Sequence, residues 1–164
     1  MARPPSDARP QLSVFDRLLD DNPKNQQPEV PPTRHQAMRL YKDAVGRDLE
    51  SLLNTRANPW EAGPEHPELR DSMYGYGLPD FSGLTVRAAS HRQRLVKRIQ
   101  QAILEHEPRL GNVVVDIPAD NDGPHKLQLR FVVTAMLKMD PAPEQVSFDT
   151  VLEISRGEYQ VKGT

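Results

Sequence analysis

The feature that most constrains the fold is a run of alternating apolar residues in the C-terminal third of the chain. Between residues 127 and 139 every odd position is apolar, namely Leu127, Leu129, Phe131, Val133, Ala135, Leu137 and Met139. Successive side chains of a strand point to opposite faces, so this period of two predicts a long strand with one buried face. A chain with such a strand needs a second layer that covers the apolar face.

Shorter segments with the same period lie on both sides of this strand. A first strand is predicted by Val113, Val115 and Ile117, and the sequence Asn-Asp-Gly at residues 121–123 is typical of a turn after it. After the long strand the pattern returns at Val146, Phe148, Thr150, Leu152 and Ile154. A turn at residues 155–158 then leads into a short strand around Tyr159 and Val161, which we expect at an edge of the sheet.

Two long amphipathic helices are predicted before the strands. The first starts at Thr33 and covers roughly residues 34 to 55, and the second covers about residues 91 to 107 with Ser90 as its cap. Their apolar stripes are Met38, Tyr41, Val45, Leu49 and Leu52 in the first, and Leu95, Ile99, Ala102, Ile103 and His106 in the second. Glycine weakens a helix by about 1 kcal/mol relative to alanine, so Gly46 indicates close approach of another element. Helices followed by a strand meander predict an α+β fold, with two long helices packed on one face of a small, mainly antiparallel sheet.

The first 32 residues are predicted to be a flexible, proline-rich leader, and residues 33–164 to form one domain. Several of the 16 prolines fall in this leader. Ser13 can cap a short helix from Val14 to about Asp21, in which Phe15, Leu18 and Leu19 share one face. A helix this short is marginal in water unless its apolar face docks. Two docking sites for this helix stay open, its own domain and another protein. The proline-rich linker between the helix and the domain favours another protein.

Composition excludes several classes of function. Cysteine is absent, so neither a disulfide framework nor thiolate chemistry is available. The five histidines lack metal-ligand spacing, and no glycine-rich phosphate loop is present, so no metal and no cofactor are predicted. No stretch approaches the roughly 18 apolar residues of a membrane helix, which predicts a cytoplasmic protein without direct membrane insertion.

Charge is unevenly distributed although the net charge is only −2. No acidic residue occurs between Phe81 and Leu104, where the basic residues are Arg87, Arg92, Arg94, Lys97 and Arg98. Residues 140–153 contain acidic residues and no lysine or arginine. These surfaces suit contacts with partners of opposite charge, or are two solvated faces. The basic segment lacks interleaved aromatic residues, so nucleic acid is not an expected partner.

A cell-wall hydrolase is the catalytic alternative. A glycosidase needs two carboxylates about 5–9 Å apart, one of them with a raised pKa. Glu105, Glu107 and Asp116 lie close enough in sequence to supply such a pair. Arg109 lies two residues after Glu107, and a neighbouring positive charge lowers a carboxyl pKa rather than raising it. This neighbour argues against the raised pKa that a glycosidase acid needs. Lysozyme-like activity is kept as the alternative to a non-enzymatic role.

Several segments, in consistent order, resemble the TssE family of type VI secretion baseplate subunits. They are SVFDRLLD at 13–20, RDLESLLNTR at 47–56, SMYGYGLPD at 72–80, IQQAI at 99–103 leading to EPRL at 107–110, and VSFDT at 146–150. The resemblance spans roughly residues 12–162. It implies a relative of the wedge protein of contractile phage tail baseplates, from a family once labelled lysozyme-like by name.

This resemblance implies a structural protein that acts by assembly. Members of the family sit in a baseplate wedge with TssF, TssG and TssK around the VgrG hub, at the inner face of the cytoplasmic membrane. They lie beneath the contractile sheath of TssB and TssC and help to start its polymerisation. The family's Glu-Pro-Arg motif, linked to this sheath-starting role, matches Glu107, Pro108 and Arg109. Further partner contacts are expected from Phe15, Leu18, Leu19, Arg94, Lys97 and Arg98.

Overall fold

The structure of the protein is a computed structural model that describes residues 12–18, 31–58, 64–69, 72–80, 89–118, 128–139, 142–153 and 157–163. Its helices are α1 (Val14–Leu18), α2 (Arg34–Asn54) and α3 (Ala89–His106), with a short 3-10 helix at Pro67–Leu69. Its strands are β1 (Leu110–Asp116), β2 (Gln128–Leu137), β3 (Glu144–Glu153) and β4 (Glu158–Gly163). The α+β fold predicted from the sequence is confirmed.

The four strands form one antiparallel sheet in the order β1-β2-β3-β4. β4 therefore lies at an edge of the described sheet, as predicted. Buried residues alternate with half-buried or exposed ones along β2 and β3, which confirms the period of two. β1 is interrupted between Gly111 and Val114, where Asn112 has a φ of 49°. Asparagine tolerates this left-handed conformation better than most residues, so it fits a bulge in an edge strand.

α2 begins at a capping box, because the Gln36 amide donates to Thr33 Oγ1 (3.3 Å) and the Thr33 amide donates to Gln36 Oε1 (2.8 Å). The predicted stripe is buried at Val45, Leu49 and Leu52 and partly buried at Met38 and Tyr41. The expected close approach at Gly46 is made by the Phe148 ring, 3.6 Å from where a β-carbon would stand. α2 thus packs its glycine against β3.

α3 buries Leu95, Ile99, Ala102 and Ile103 against the sheet, as its periodicity predicts. The cap prediction was wrong: the helix already includes Ala89, so Ser90 lies inside its first turn. Both long helices share one core with the inward side chains of the sheet, among them Phe131, Val133, Leu137 and Phe148. The two helices therefore cover the same face of the sheet, and α3 leads directly into the edge strand β1.

Residues 72–80 are fixed between the ends of the two long helices. The Leu78 amide donates to the Thr55 carbonyl oxygen (2.8 Å), and the Ala57 amide donates to the Leu78 carbonyl oxygen (2.8 Å). Gly77 has a φ of 112°, and a β-carbon there would stand 2.4 Å from the Thr55 oxygen, so only glycine fits. Tyr76 packs edge-on against His106, with ring centroids 5.3 Å apart.

The leader helix α1 is held on the surface. Ser13 caps it, since the Asp16 amide donates to Ser13 Oγ (3.1 Å). None of its residues is buried, and Val14, Phe15 and Leu18 are 66–76% exposed. The helix was predicted to continue to Asp21, but Leu19 and the residues after it lie outside the described residues. None of the helices described is long and apolar enough to cross a membrane.

Candidate functional site

The turn between α3 and β1 contains Glu107, Pro108 and Arg109. The last helical hydrogen bond of α3 runs from the Glu107 amide to the Ile103 carbonyl oxygen (2.9 Å). Pro108 has no amide hydrogen and does not continue the helix. The chain turns there, and the Leu110 amide donates to the Glu107 carbonyl oxygen (3.1 Å) as β1 begins.

The same turn is attached to the end of the neighbouring strand β2 by Lys138. The Lys138 amide donates to the Arg109 carbonyl oxygen (2.8 Å), and Lys138 Nζ donates to the Pro108 carbonyl oxygen (3.0 Å). The direction in which the chain leaves α3 is therefore fixed by the sheet as well as by the proline.

Glu107 and Arg109 form a bidentate ion pair across Pro108. Arg109 Nε donates to Glu107 Oε1 (2.7 Å), Arg109 Nη2 donates to Oε2 (2.5 Å), and the Arg109 amide also donates to Oε1 (3.2 Å). Glu107 is only 5% exposed, so these donors replace the water that its carboxylate would otherwise bind. Buried charges are tolerated when they are paired and hydrogen-bonded, and this carboxylate meets both conditions.

Asp48 reaches this pair from α2. Its Oδ2 accepts a hydrogen bond from Arg109 Nη2 (2.6 Å), so one guanidinium joins the end of α3 to the middle of α2. The hydrogen bond with Glu107 is the main cause that raises the pKa of Arg109 above its ordinary value; burial opposes the rise, and Asp48 adds to it. Arg109 therefore stays positively charged throughout the physiological pH range.

Tyr41 lies two helical turns before Asp48 on α2, and its pKa is affected by the charges of Glu107 and Arg109. Burial raises the pKa of Tyr41, the positive charge of Arg109 lowers it, and the negative charge of Glu107 raises it, with a net rise. The phenol therefore keeps its proton at neutral pH and adds no further charge to the site.

A line of charges continues from Asp48 to the leader helix. Arg47 Nη2 lies 3.4 Å from Asp48 Oδ1 and also donates to Asp16 Oδ1 on α1. We call the set of Glu107, Arg109, Asp48, Arg47 and Asp16, which alternate in sign, the charge chain. Burial of the Asp16 carboxylate acts to raise its pKa, but hydrogen bonds from Ser13 and Arg47 outweigh burial, so the pKa of Asp16 is lowered.

The other residues predicted to bind partners lie on two separate exposed surfaces. Arg94, Lys97 and Arg98 are exposed on the outer side of α3, opposite its buried stripe. Phe15 and Leu18 are exposed on α1, and Leu19 lies outside the described residues. The structure therefore brings Glu107, Pro108 and Arg109 together in one turn and places the remaining candidates elsewhere on the surface.

The carboxylates considered for hydrolysis have different surroundings. Glu105 is exposed and accepts from Gln101 Nε2 (2.9 Å), and Asp116 is exposed at the end of β1. Glu107 is buried, with both oxygens bound to Arg109, whereas the acid of a glycosidase must carry a proton for the leaving group. The geometry gives no support to a catalytic role for Glu107. The described residues include no group of three or more histidine, aspartate or glutamate side chains that could hold a metal ion.

Sequence reasoning missed Asp48. It stands four residues after Ala44 and four before Leu52, both of which are buried. An acidic residue at helical spacing between buried positions lies beside the apolar stripe and needs a partner. That signal could have identified Asp48, but it does not reveal that the partner is Arg109, which is 61 residues away along the chain.

Sequence reasoning also missed a groove between the first half of α2 and the sheet. The groove has a volume of about 650 Å³, with Met38, Val146 and Phe148 among its apolar lining and charged residues around them. Lys42 on α2 and Glu144 on β3 both line it and form an ion pair of 2.7 Å. The β3–β4 pairing ends at Phe148 and Gly163, whereas β3 begins at Glu144. Among the described residues, the first residues of β3 thus lie outside the β3–β4 pairing, beside the groove.

Comparison with known proteins gives a family match over more than half of the chain. The sequence model of the family described as baseplate wedge protein gp25 matches residues 39–142. The matched range includes Asp48 and the turn at Glu107, Pro108 and Arg109, while α1, β3 and β4 lie outside it. Searches of curated proteins and of solved structures gave no significant match. The chain belongs to the family of the baseplate wedge protein gp25, which also includes TssE.

Proposed function

We propose that the protein is the TssE-like subunit of a type VI secretion baseplate, where it joins the wedge and helps to start polymerisation of the contractile sheath. Membership of the baseplate wedge family supports a structural role in a baseplate. The segments at 13–20, 47–56, 72–80 and 107–110 support the narrower assignment to type VI secretion. In this proposal the protein is not an enzyme, needs no cofactor, and works through the surfaces that it presents.

The observation that carries the proposal is the turn at Glu107, Pro108 and Arg109, which ion pairs and hydrogen bonds hold in place. It lies in the family-matched range and holds α3, α2 and β1 in one arrangement through Arg109 and Asp48. A buried ion pair need not add net stability, and in this proposal its role is to set orientation. The turn thus sets how the helices lie against the sheet, and so shapes the surface that the sheath meets.

The start of β3 offers a physical route for beginning a polymer. Glu144, Gln145 and Val146 extend beyond the β3–β4 pairing, next to the apolar lining of the groove. An extended segment of a partner can add to a sheet edge by main-chain hydrogen bonds, while pockets beside the edge receive its side chains. In the proposal, a strand of the first TssB–TssC sheath layer binds at this position.

The leader and the outer side of α3 face the rest of the wedge. Residues 1–32 form the leader and residues 33–164 the wedge domain in this proposal, with Phe15, Leu18 and Leu19 contacting TssF, TssG or TssK. Arg94, Lys97 and Arg98 contribute salt-sensitive contacts that favour orientation and fast encounter. Several weak contacts combine when the wedge holds its components together around the VgrG hub. The protein reaches the inner face of the cytoplasmic membrane through these partners.

Two measurements on the purified protein test the proposal. We expect it to copurify with TssF and TssG, and to show no turnover of peptidoglycan. Turnover that disappears in Glu105→Ala, Glu107→Ala or Asp116→Ala would restore the hydrolase alternative. Failure to bind TssF, TssG and TssK in the presence of all three would contradict the assignment to the wedge.

A further inference from the structure

The leader helix α1 makes a polar contact with the domain rather than an apolar one. Its carboxylate at Asp16 binds Arg47 on α2, and Asp16 is half-buried whereas the other residues of α1 are exposed. Its apolar residues Val14, Phe15 and Leu18 point instead toward solvent, with exposures of 73%, 66% and 76%. Apolar burial is the usual source of helix docking, and the described part of α1 contributes little of it.

The same arginine belongs to the charge chain that ends at the Glu107–Arg109 pair. Arg47 Nη2 lies between Asp16 and Asp48, and Asp48 uses its other oxygen to accept from Arg109. Asp48 is thus shared by two guanidinium groups that serve different parts of the molecule. Moving either arginine changes the field and the hydrogen bonding at Asp48, and through Asp48 the position of the other arginine.

We infer that the charge chain holds α1 against α2, and that Asp48 couples this contact to the Glu107–Arg109 pair. We call α1 seated when Asp16 is bound to Arg47, and released when it is not. The coupling works in both directions, as linkage requires. A change at Glu107 or Arg109 alters how firmly α1 sits, and anything that pulls Asp16 off Arg47 frees Arg47 to bind Asp48 more closely. Under the proposed function, on which only this last consequence rests, a wedge partner that binds α1 also biases the turn that faces the sheath.

The coupling is testable on the isolated full-length chain, because the sequence contains no cysteine. Spin labels on Val14→Cys and Leu104→Cys, both at exposed positions, report the distance between α1 and α3 by pulsed electron resonance. We expect a narrow distance distribution at low salt that broadens at high salt, because ion pairs at the surface are screened.

Three variants separate seating from coupling. Arg47→Gln removes the partner of Asp16 and should release α1. Asp48→Asn leaves Asp16 and Arg47 intact and removes the second carboxylate that contacts Arg47, so it should raise the ratio of seated to released α1 by about two- to five-fold, the range typical of an exposed ion pair. Arg56→Gln, an equivalent change at an exposed arginine that pairs with Asp80 outside the charge chain, should leave the distribution unchanged. The thermal midpoint of each variant confirms that the domain is folded.

Two results would overturn the inference. A narrow distribution retained in Arg47→Gln would mean that α1 is seated by other contacts. A released α1 in Arg47→Gln with an unchanged distribution in Asp48→Asn would mean that the seat exists without the coupling. Neither result bears on copurification with TssF and TssG, so a failure here is distinguishable from a failure of the proposed function.

Discussion

Replacing Arg109 with alanine should destabilise the domain more than replacing Glu107, although the two residues form one ion pair. In Arg109→Ala, the 5%-exposed Glu107 keeps only the backbone amide of residue 109 as a donor. Removing one partner of a buried pair costs about 3–5 kcal/mol, and the lower end applies because the Arg109 side chain is 22% exposed. In Glu107→Ala, Arg109 keeps its 2.6 Å hydrogen bond to Asp48 and has access to water. That loss should be about 1.5 kcal/mol, the lower end of the value of a hydrogen bond to a charged group.

Urea and thermal unfolding followed by circular dichroism measure this difference. Domains of this size unfold with about 5–15 kcal/mol, so both variants should remain folded at 25 °C. At about 2–4 °C per kcal/mol, the midpoint should fall by roughly 6–12 °C in Arg109→Ala and by a few degrees in Glu107→Ala. Glu105→Ala, an exposed change on the same helix, should leave the midpoint within about 2 °C and serves as the control.

The double variant supplies the critical comparison. Once Glu107 is also removed, Arg109→Ala no longer leaves a buried charge, so the double variant should lose less free energy of unfolding than the sum of the two single losses. Equal losses in the single variants, adding up in the double variant, would refute the description of Glu107 as a buried charge that depends on Arg109.

Three further predictions concern the fold and the leader. Thr150→Val should raise the free energy of unfolding by about 1 kcal/mol in urea titrations, because Thr150 Oγ1 is buried without a hydrogen-bond partner among the described residues. Burial raises the pKa of Tyr159 to about 12; its neutral form stabilises the fold below pH 10, and this contribution should be lost as pH rises from about 10 to 12. Tyr159→Phe should remove that part of the alkaline transition. Deleting residues 1–32 should leave the thermal midpoint nearly unchanged and weaken capture by wedge proteins in pull-downs; a large fall in the midpoint would place α1 in the domain's own core.

Periodicity was enough to predict the sheet and both long helices. Leu129, Phe131 and Val133 alternate with less buried residues because one face of β2 packs against the helices, and this alternation is visible in the local sequence. Gly46 was interpreted correctly for a similar reason, since a glycine inside a helix is tolerated when another element, here the Phe148 ring, comes close. Ser90 was placed wrongly because a cap depends on where the helix begins, and Ala89 also adopts helical geometry.

The rest of the candidate site depends on tertiary distances. Glu107 and Arg109 are two residues apart, so their pairing could be anticipated, but Asp48 joins them only because α2 and α3 pack side by side. The contact of α1 with Arg47 could not be predicted for the same reason, since Asp16 is 31 residues from Arg47 along the chain. The groove lies where α2 packs beside the first residues of β3, which the described β3–β4 pairing does not include. No local pattern encodes which residues of α2 and β3 face each other across this groove.

Sheath formation in living cells tests the central claim most directly. Glu107→Ala and Arg109→Ala are introduced on the chromosome beside a fluorescently tagged sheath subunit, with Glu105→Ala as the matched control and immunoblots to verify protein levels. The proposed role of the turn predicts that cells carrying either of the first two variants form no sheaths, although the protein stays soluble, while Glu105→Ala cells form normal numbers. Normal sheath numbers in both Glu107→Ala and Arg109→Ala cells, at wild-type protein levels, would contradict it.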